Sequence, residues 1–188
     1  MAVETRTTMN GLDVNQLFGT LEAIKGDPGL ARFQFRARNR WIDGGLNRST
    51  IRDFYGGGQE DTSRTEPFVF ANDEPPVLLG ENRGANPVEF VLHALAGCLT
   101  TSLVLHAAAR GIRVNSVETR FEGDLDVRGL LGIDDSVRNG YERIKVTFKV
   151  SADAPDSVID ELITLAQKRS PVFDVVSHGV PVEVRRER

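Results

Sequence analysis

The chain has 188 residues, 40 % of them hydrophobic, which suits one domain with a proper core plus a modest extension and is too short for two independent domains. Twenty-three basic against 27 acidic residues give a formal net charge of -4, and the longest basic run is Arg185-Arg186-Glu187-Arg188, so nucleic-acid binding is excluded as an expectation. A single cysteine cannot close an intrachain disulfide, and the N-terminus lacks a charged-then-apolar leader pattern, so a reducing cytoplasm is the expected location.

Val14, Leu17, Phe18, Leu21 and Ile24 recur at helical spacing until Lys25 to Gly29 stops them, predicting a short amphipathic helix within an N-terminal extension over 1–30. The main domain is expected over 31–188. Arg32 to Trp41 and Asn47 to Phe54 read as strands around a turn at Asp43 to Gly45. Arg32, Arg36, Arg38 and Arg40 sit at alternate positions, which predicts one solvated strand face. Tyr55 to Ala85 carries Gly56-Gly57-Gly58, Pro67, Pro75, Pro76, Gly80 and Gly84, with one strand candidate at Pro67 to Ala71. So long a connection is expected to cover or build a site. No Gly-Lys-Ser/Thr follows the glycine run, which therefore reads as a flexible turn rather than a phosphate loop.

Asn86 is a preferred helix cap, Pro87 fits the first helical position and Gly111 supplies a stop after Arg110. The helix between them has about 24 residues and is roughly 36 Å long. That approaches the length of a membrane span, but His93, Thr100, Thr101, Ser102 and His106 interrupt it, so the expectation is a central helix of a soluble protein or its dimer interface. Alternation predicts strands at Ser116 to Asp126 and Tyr141 to Val150, joined by a glycine-containing excursion. An amphipathic helix from Pro155 to Lys168, a shorter one from Ser170-Pro171 to Ser177 and a closing strand at Val180 to Val184 complete an α+β order.

Cys98, in "NPVEFVLHALAGCLTTSLVLHAAARGI", stands in the middle of the long helix, and "SPVFDVVSHGVPVEV" follows two strands and a helix later. Together these stretches resemble the OsmC/Ohr family of osmotically and peroxide-inducible proteins, over roughly Arg32 to Val184, with the Pro87 to Cys98 spacing and the Ser170-Pro171 helix start as the most specific parts. The resemblance implies an intertwined homodimer in which antiparallel sheets wrap two long central helices. It also implies reduction of organic hydroperoxides, with Cys98 as the thiolate nucleophile that becomes sulfenic acid. In the family a second cysteine at a Cys-Pro helix start then forms a disulfide, and an arginine of the N-terminal β region and a glutamate next to the helix-opening proline organise the thiolate.

This sequence departs from that pattern twice. Ser170 holds the second cysteine's position, so a one-cysteine cycle with an external thiol reductant is the expected form. Val88 follows Pro87, with the carboxylate displaced to Glu89. At 100° per residue Glu89 and Cys98 lie about 180° apart on the helix, so Glu89 is expected to act across a dimer, if it acts on Cys98. Of Arg36, Arg38, Arg40 and Arg48, Arg40 beside Trp41 is the preferred thiolate partner.

The residues also admit simpler roles. Only a thiolate is a competent nucleophile, and hydrocarbon disfavours it, so Cys98 is either paired with a cation or a small buried hydrophobe. Ser170 reads as an N-cap with Pro171 at the first helical position, and Glu89 as a complement to the helix dipole. His93 and His106 share no tight face with Cys98 and show no zinc spacing, so no metal and no cofactor is expected; His178 before Gly179 reads as a C-terminal cap. Thiol-dependent reduction of a small hydrophobic peroxide is the leading functional expectation. A non-catalytic member binding a small apolar ligand at the dimer groove is the alternative, and neither involves nucleic acid or a membrane.

Overall fold

The computed structural model describes residues 7–187. They form two compact units, one from Thr7 and 13–91 and the other from 8–12 and 92–187, mixing helices with small antiparallel sheets as the α+β order predicts.

The first elements escape a hydrophobic-periodicity reading. β1 (Thr8–Met9) and β2 (Leu12–Asp13) pair around Asn10 and Gly11, whose φ values of 51° and 79° match an Asn-Gly type I′ turn. The Asn10 side chain fastens this turn in the second unit: it donates to the Ile112 carbonyl and accepts from the Val114 amide, both at 2.9 Å. α1 (Val14–Gly26) follows, with the Asp13 carboxylate accepting from the Gln16 amide at 3.0 Å as its N-cap. The apolar stripe expected on α1 is present but uncovered, since none of its residues is buried and Phe18 and Leu21 remain exposed.

In the first unit, β3 (Arg38–Asp43) and β4 (Leu46–Ile51) make the expected hairpin through Gly44. The next stretch is more ordered than its glycines and prolines imply. β5 (Phe54–Gly56) and β6 (Gln59–Asp61) form a second hairpin, turned by Gly57 and Gly58 at φ 62° and 86°, so the glycine run is a tight turn. β7 (Phe68–Asn72) then pairs with β4, giving the sheet order β3-β4-β7. Cross-strand partners share a face of a sheet, so Arg38 with Thr50 and Arg40 with Arg48 define one side, while Phe70 with Ser49 and Phe68 with Ile51 define the other. α2 (Pro87–Ala109) begins against that second side, where Phe90 meets Phe70 edge-on at 6.0 Å between centroids.

Between β7 and α2 the chain folds around the buried carboxylate of Asp73. It accepts from the amides of Glu74, Glu81 and Arg83 at 2.9, 3.2 and 3.0 Å, and from Arg83 Nε at 3.2 Å. The Arg83 amide first, then the Glu74 amide and the Arg83 side chain, hold the carboxyl down to about 2 against the opposing effect of desolvation. A Cβ on Gly45 would lie 2.8 Å from Asp73 Oδ1, so the hairpin can come this close only without a side chain. The loop is tied onward to the helix start: Glu74 Oε2 accepts from Asn86 Nδ2 at 2.5 Å. Asn86 in turn caps α2, accepting from the Val88 amide at 3.0 Å, while Glu89 accepts from the Asn86 amide at 2.8 Å in a reciprocal capping box.

In the second unit, β8 (Val114–Asp124), α3 (Val127–Leu130), β9 (Arg143–Ala152), α4 (Asp156–Arg169) and α5 (Pro171–His178) follow α2. α3 is a single short turn within the glycine-containing excursion expected between the two strands. β8 and β9 pair antiparallel, with Val117 opposite Val150 and Phe121 opposite Val146 on one face and Glu118 opposite Lys149 and Glu122 opposite Lys145 on the other. The apolar face, Ile112 and Val114 pack on a core of Leu103 and Ala107 from α2 and Leu162 and Ala166 from α4. This alternation is the reason the two strands were readable in sequence. The closing strand expected at Val180 to Val184 does not form: 179–187 are irregular and Val184 is 91 % exposed. Alternating valines supply the pattern, but no strand among the described residues pairs with them.

Candidate active site

Cys98 sits mid-way along α2, half-buried beside the helix's buried stripe of Leu95, Leu99, Leu103 and Ala107. The i, i+4 spacing of that stripe fixes one face of the helix in the core and leaves Cys98 on its flank. Ser170 meets it there. Ser170 is a single extended residue, φ -80° and ψ 115°, separating α4 from α5, and it is 2 % exposed. Its hydroxyl oxygen accepts from the Phe173 amide at 3.1 Å and its O–H donates to Cys98 Sγ at 3.1 Å. The N-cap reading of Ser170, with Pro171 at the first helical position, is thus realised. The sulfur contact is additional, and nothing in the local sequence around Ser170 signals it. Its signal is the positional match to the second cysteine of the resembled family, across 72 residues of chain.

Arg40 projects from β3 in the first unit, exposed and opposite Arg48. Glu89 is occupied by the α2 capping box. His93 and His106 are both on α2. Burial, then the charges of Arg110 and Arg169, push the His106 imidazole below its ordinary value, which favours its neutral form. His178 ends α5, where its Nδ1 lies 3.0 Å from Asp174 Oδ1 and Gly179 closes the helix by donating to the Val175 carbonyl. Sequence reasoning names neither Asp73 nor the sulfur contact of Ser170. Both depend on residues brought together by the fold.

The Ser170 contact has a direct consequence for a variant. An oxygen 3.1 Å from the sulfur is about 1 Å beyond S–S bonding distance, a gap that a small χ1 adjustment closes. Ser170→Cys is therefore expected to form a disulfide with Cys98 under mild oxidation. Closing a 72-residue loop would stabilise the chain by about 4 kcal/mol in the chain-entropy view, less about 1 kcal/mol for the lost hydroxyl cap. Thiol titration should find both sulfurs consumed and the oxidised form melting higher than the reduced; two free thiols after oxidation would contradict the geometry.

The model of the OsmC-like protein family matches residues 80–185, which include Cys98, Ser170 and Glu89 but not Arg40. No curated protein matches the chain. Among solved structures, an OsmC-like protein from Mycoplasma pneumoniae superimposes with a TM-score of 0.57 at 16 % identity, covering 77 % of this chain and 88 % of that one. An OsmC-like protein of unknown function from Vibrio cholerae O1 gives 0.56 at 13 % identity, covering 77 % and 94 %. An organic hydroperoxide resistance protein from Legionella pneumophila gives 0.51 at 14 % identity, covering 78 % and 90 %. At such identities the likeness fixes the fold. Since the family model covers more than half of the chain, from before the capping box of α2 to beyond α5, the chain belongs to the OsmC-like protein family.

Proposed function

We propose that the protein is a one-cysteine thiol peroxidase that reduces small hydrophobic organic hydroperoxides at Cys98, in the cytoplasm, as a homodimer. The observation that carries this reading is the buried Ser170 hydroxyl donating to Cys98 Sγ at 3.1 Å, with the Phe173 amide behind it. A cysteine serving only as core filler has no need of a proton donor fixed against its sulfur. The proposed cycle uses a single cysteine. The Cys98 thiolate attacks the outer peroxide oxygen, the O–O bond breaks, and the departing alkoxide takes a proton to become the alcohol while the sulfur becomes sulfenic acid. Ser170 cannot form a disulfide. An external thiol therefore condenses with the sulfenic acid, releasing water, and a second thiol frees Cys98 and leaves as the oxidised reductant. In this proposal Arg40 supplies the fixed positive charge for the thiolate and Glu89 orients that guanidinium across the dimer.

The surface of α2 supports the homodimer. The helix is long and apolar enough by composition to cross a membrane, yet only one stripe is buried, and Val91, Ala94 and Gly97 remain exposed. A second copy of the helix is the partner that such a surface accommodates in water.

The reading is tested by treating the native protein with one equivalent of cumene hydroperoxide in the presence of dimedone. Mass spectrometry should find the dimedone adduct on Cys98 in most molecules within minutes. Absence of the adduct, with Cys98 still alkylatable after denaturation, would overturn the peroxidase and leave the family's fold serving as a non-catalytic binder of apolar ligands.

A further inference from the structure

The sheet β3-β4-β7 carries more positive charge on one side than its pairing needs. Arg38 and Arg40 alternate along β3 and Arg48 stands on β4, all on the side that Thr50 shares; Arg36 and Arg52 continue the alternation past the strand ends. Arg40 and Arg48 are direct cross-strand partners, a like-charge pairing that weakens a sheet. Arg36 is neutralised by Glu60, which it contacts through both carboxylate oxygens at 2.6 and 2.8 Å. Arg38, Arg40 and Arg48 have no carboxylate partner among the described residues. In a chain with a net charge of -4, this is a local surplus, not the background of a basic protein.

At one end of this side a cavity of about 290 Å³ opens, lined chiefly by Arg36, Arg38, Thr50, Arg52, Asp53 and Pro67. Arg52 Nε is used by the Arg64 carbonyl at 3.1 Å, which fixes the guanidinium while its terminal nitrogens stay available. Among the described residues Asp53 Oδ1 accepts no hydrogen bond but pairs with Arg52, whose Nε lies 3.5 Å away, while the rest of the Asp53 side chain is well exposed. The cavity thus offers guanidinium donors and an exposed carboxylate acceptor, and one ligand fits both: an oxyanion carrying a hydroxyl that donates to Asp53.

We propose that this cavity binds a small phosphate monoester with free hydroxyl groups, of the sugar phosphate class. The phosphoryl oxygens lie against the forks of Arg38 and Arg52, where a dianion neutralises two guanidinium groups as a single carboxylate does not. A ligand hydroxyl donates to the solvent-facing oxygen of the Asp53 carboxylate, and Thr50 offers a further hydroxyl contact. The site is built from the first unit alone and does not depend on the chemistry assigned to Cys98.

Isothermal titration of the whole chain in low salt tests it, with glucose 6-phosphate, inorganic phosphate and glucose as separate probes. Glucose 6-phosphate is expected to bind with a Kd of roughly 0.1–1 mM, inorganic phosphate about tenfold more weakly and glucose not at all. Arg38→Ala and Arg52→Ala should each weaken glucose 6-phosphate about tenfold or more, and Asp53→Asn should erase its advantage over inorganic phosphate. Both arginines are exposed or half-exposed, so the variants should fold, and an unchanged circular dichroism spectrum checks that. Absence of glucose 6-phosphate binding, equal binding in Arg38→Ala, or binding of a DNA oligonucleotide in preference to the sugar phosphate would each overturn the proposal. Peroxide turnover should be the same in Arg52→Ala as in the natural chain.

Discussion

Cys98→Ser is expected to reduce consumption of cumene hydroperoxide to the rate of buffer with the thiol reductant alone, a loss of about a hundredfold or more. The chain has no second thiol to take over, because Cys98 is its one cysteine. A serine hydroxyl at the same place is almost entirely protonated at neutral pH and is a far weaker nucleophile toward peroxide oxygen. The substitution is close to isosteric, and Cys98 is only half-buried, so the core of Leu103, Ala107, Leu162 and Ala166 should be undisturbed. The introduced hydroxyl can also keep a hydrogen bond with Ser170, which preserves the join between α2 and the α4-α5 corner. Loss of turnover at unchanged melting temperature thus isolates the sulfur's chemistry from its packing. Equal rates in both proteins would end the enzyme assignment, whatever the fold.

How far the sequence speaks depends on whether a signal is local. α2 announces itself through Asn86, Pro87 and Gly111, and its capping box and stop appear where those residues put them. β8 and β9 are readable because one face of each meets the core, which writes a two-residue period into the chain. The same signal misleads at Val180, Val182 and Val184, where alternation exists without a partner strand among the described residues. At Tyr55 to Ala85, glycines and prolines suggest an irregular cover. Gly57 and Gly58 instead supply the positive φ of a tight hairpin, and Phe68 to Asn72 finds its partner in β4. The site divides in the same way. Family resemblance locates Cys98 and Ser170, and the cap role of Ser170 follows from Ser-Pro; its donation to the sulfur needs α2 and the α4-α5 corner to be together. The arginines of the hairpin read as a solvated face because alternation says which side they share, not that Arg38 and Arg52 close on one cavity beside the Asp53 carboxylate.

Asp73→Asn is expected to be the most destabilising conservative change in the first unit, lowering its melting midpoint by roughly 5–10 °C. The carboxylate receives four donors, one on Oδ1 and three on Oδ2. An asparagine keeps one oxygen for the three and turns its NH2 toward the Glu74 amide, setting donor against donor in a buried place. Gly45 packs against that same oxygen, leaving no room for the side chain to swing away or for water to fill in. Failure here would spread along covalent and hydrogen-bonded neighbours: the Glu74 backbone, then its carboxylate on Asn86, then the cap of α2. Trp41, the chain's one tryptophan, lies in the same unit and reports the loss by fluorescence. The acid dependence supplies an independent readout. Asp73 is held at about 2 in the folded chain against an ordinary value of 3.8, so its ionised form is favoured by folding. That stabilisation is complete above about pH 4 and is lost as the pH falls toward about 2. The natural chain should therefore lose its margin over Asp73→Asn across that window, the two curves converging at the acid end. Parallel curves over the whole range would mean that the amides of Glu74, Glu81 and Arg83 are satisfied as well by a neutral side chain, and that the loop ahead of α2 is held by its glycine contacts and not by the charge.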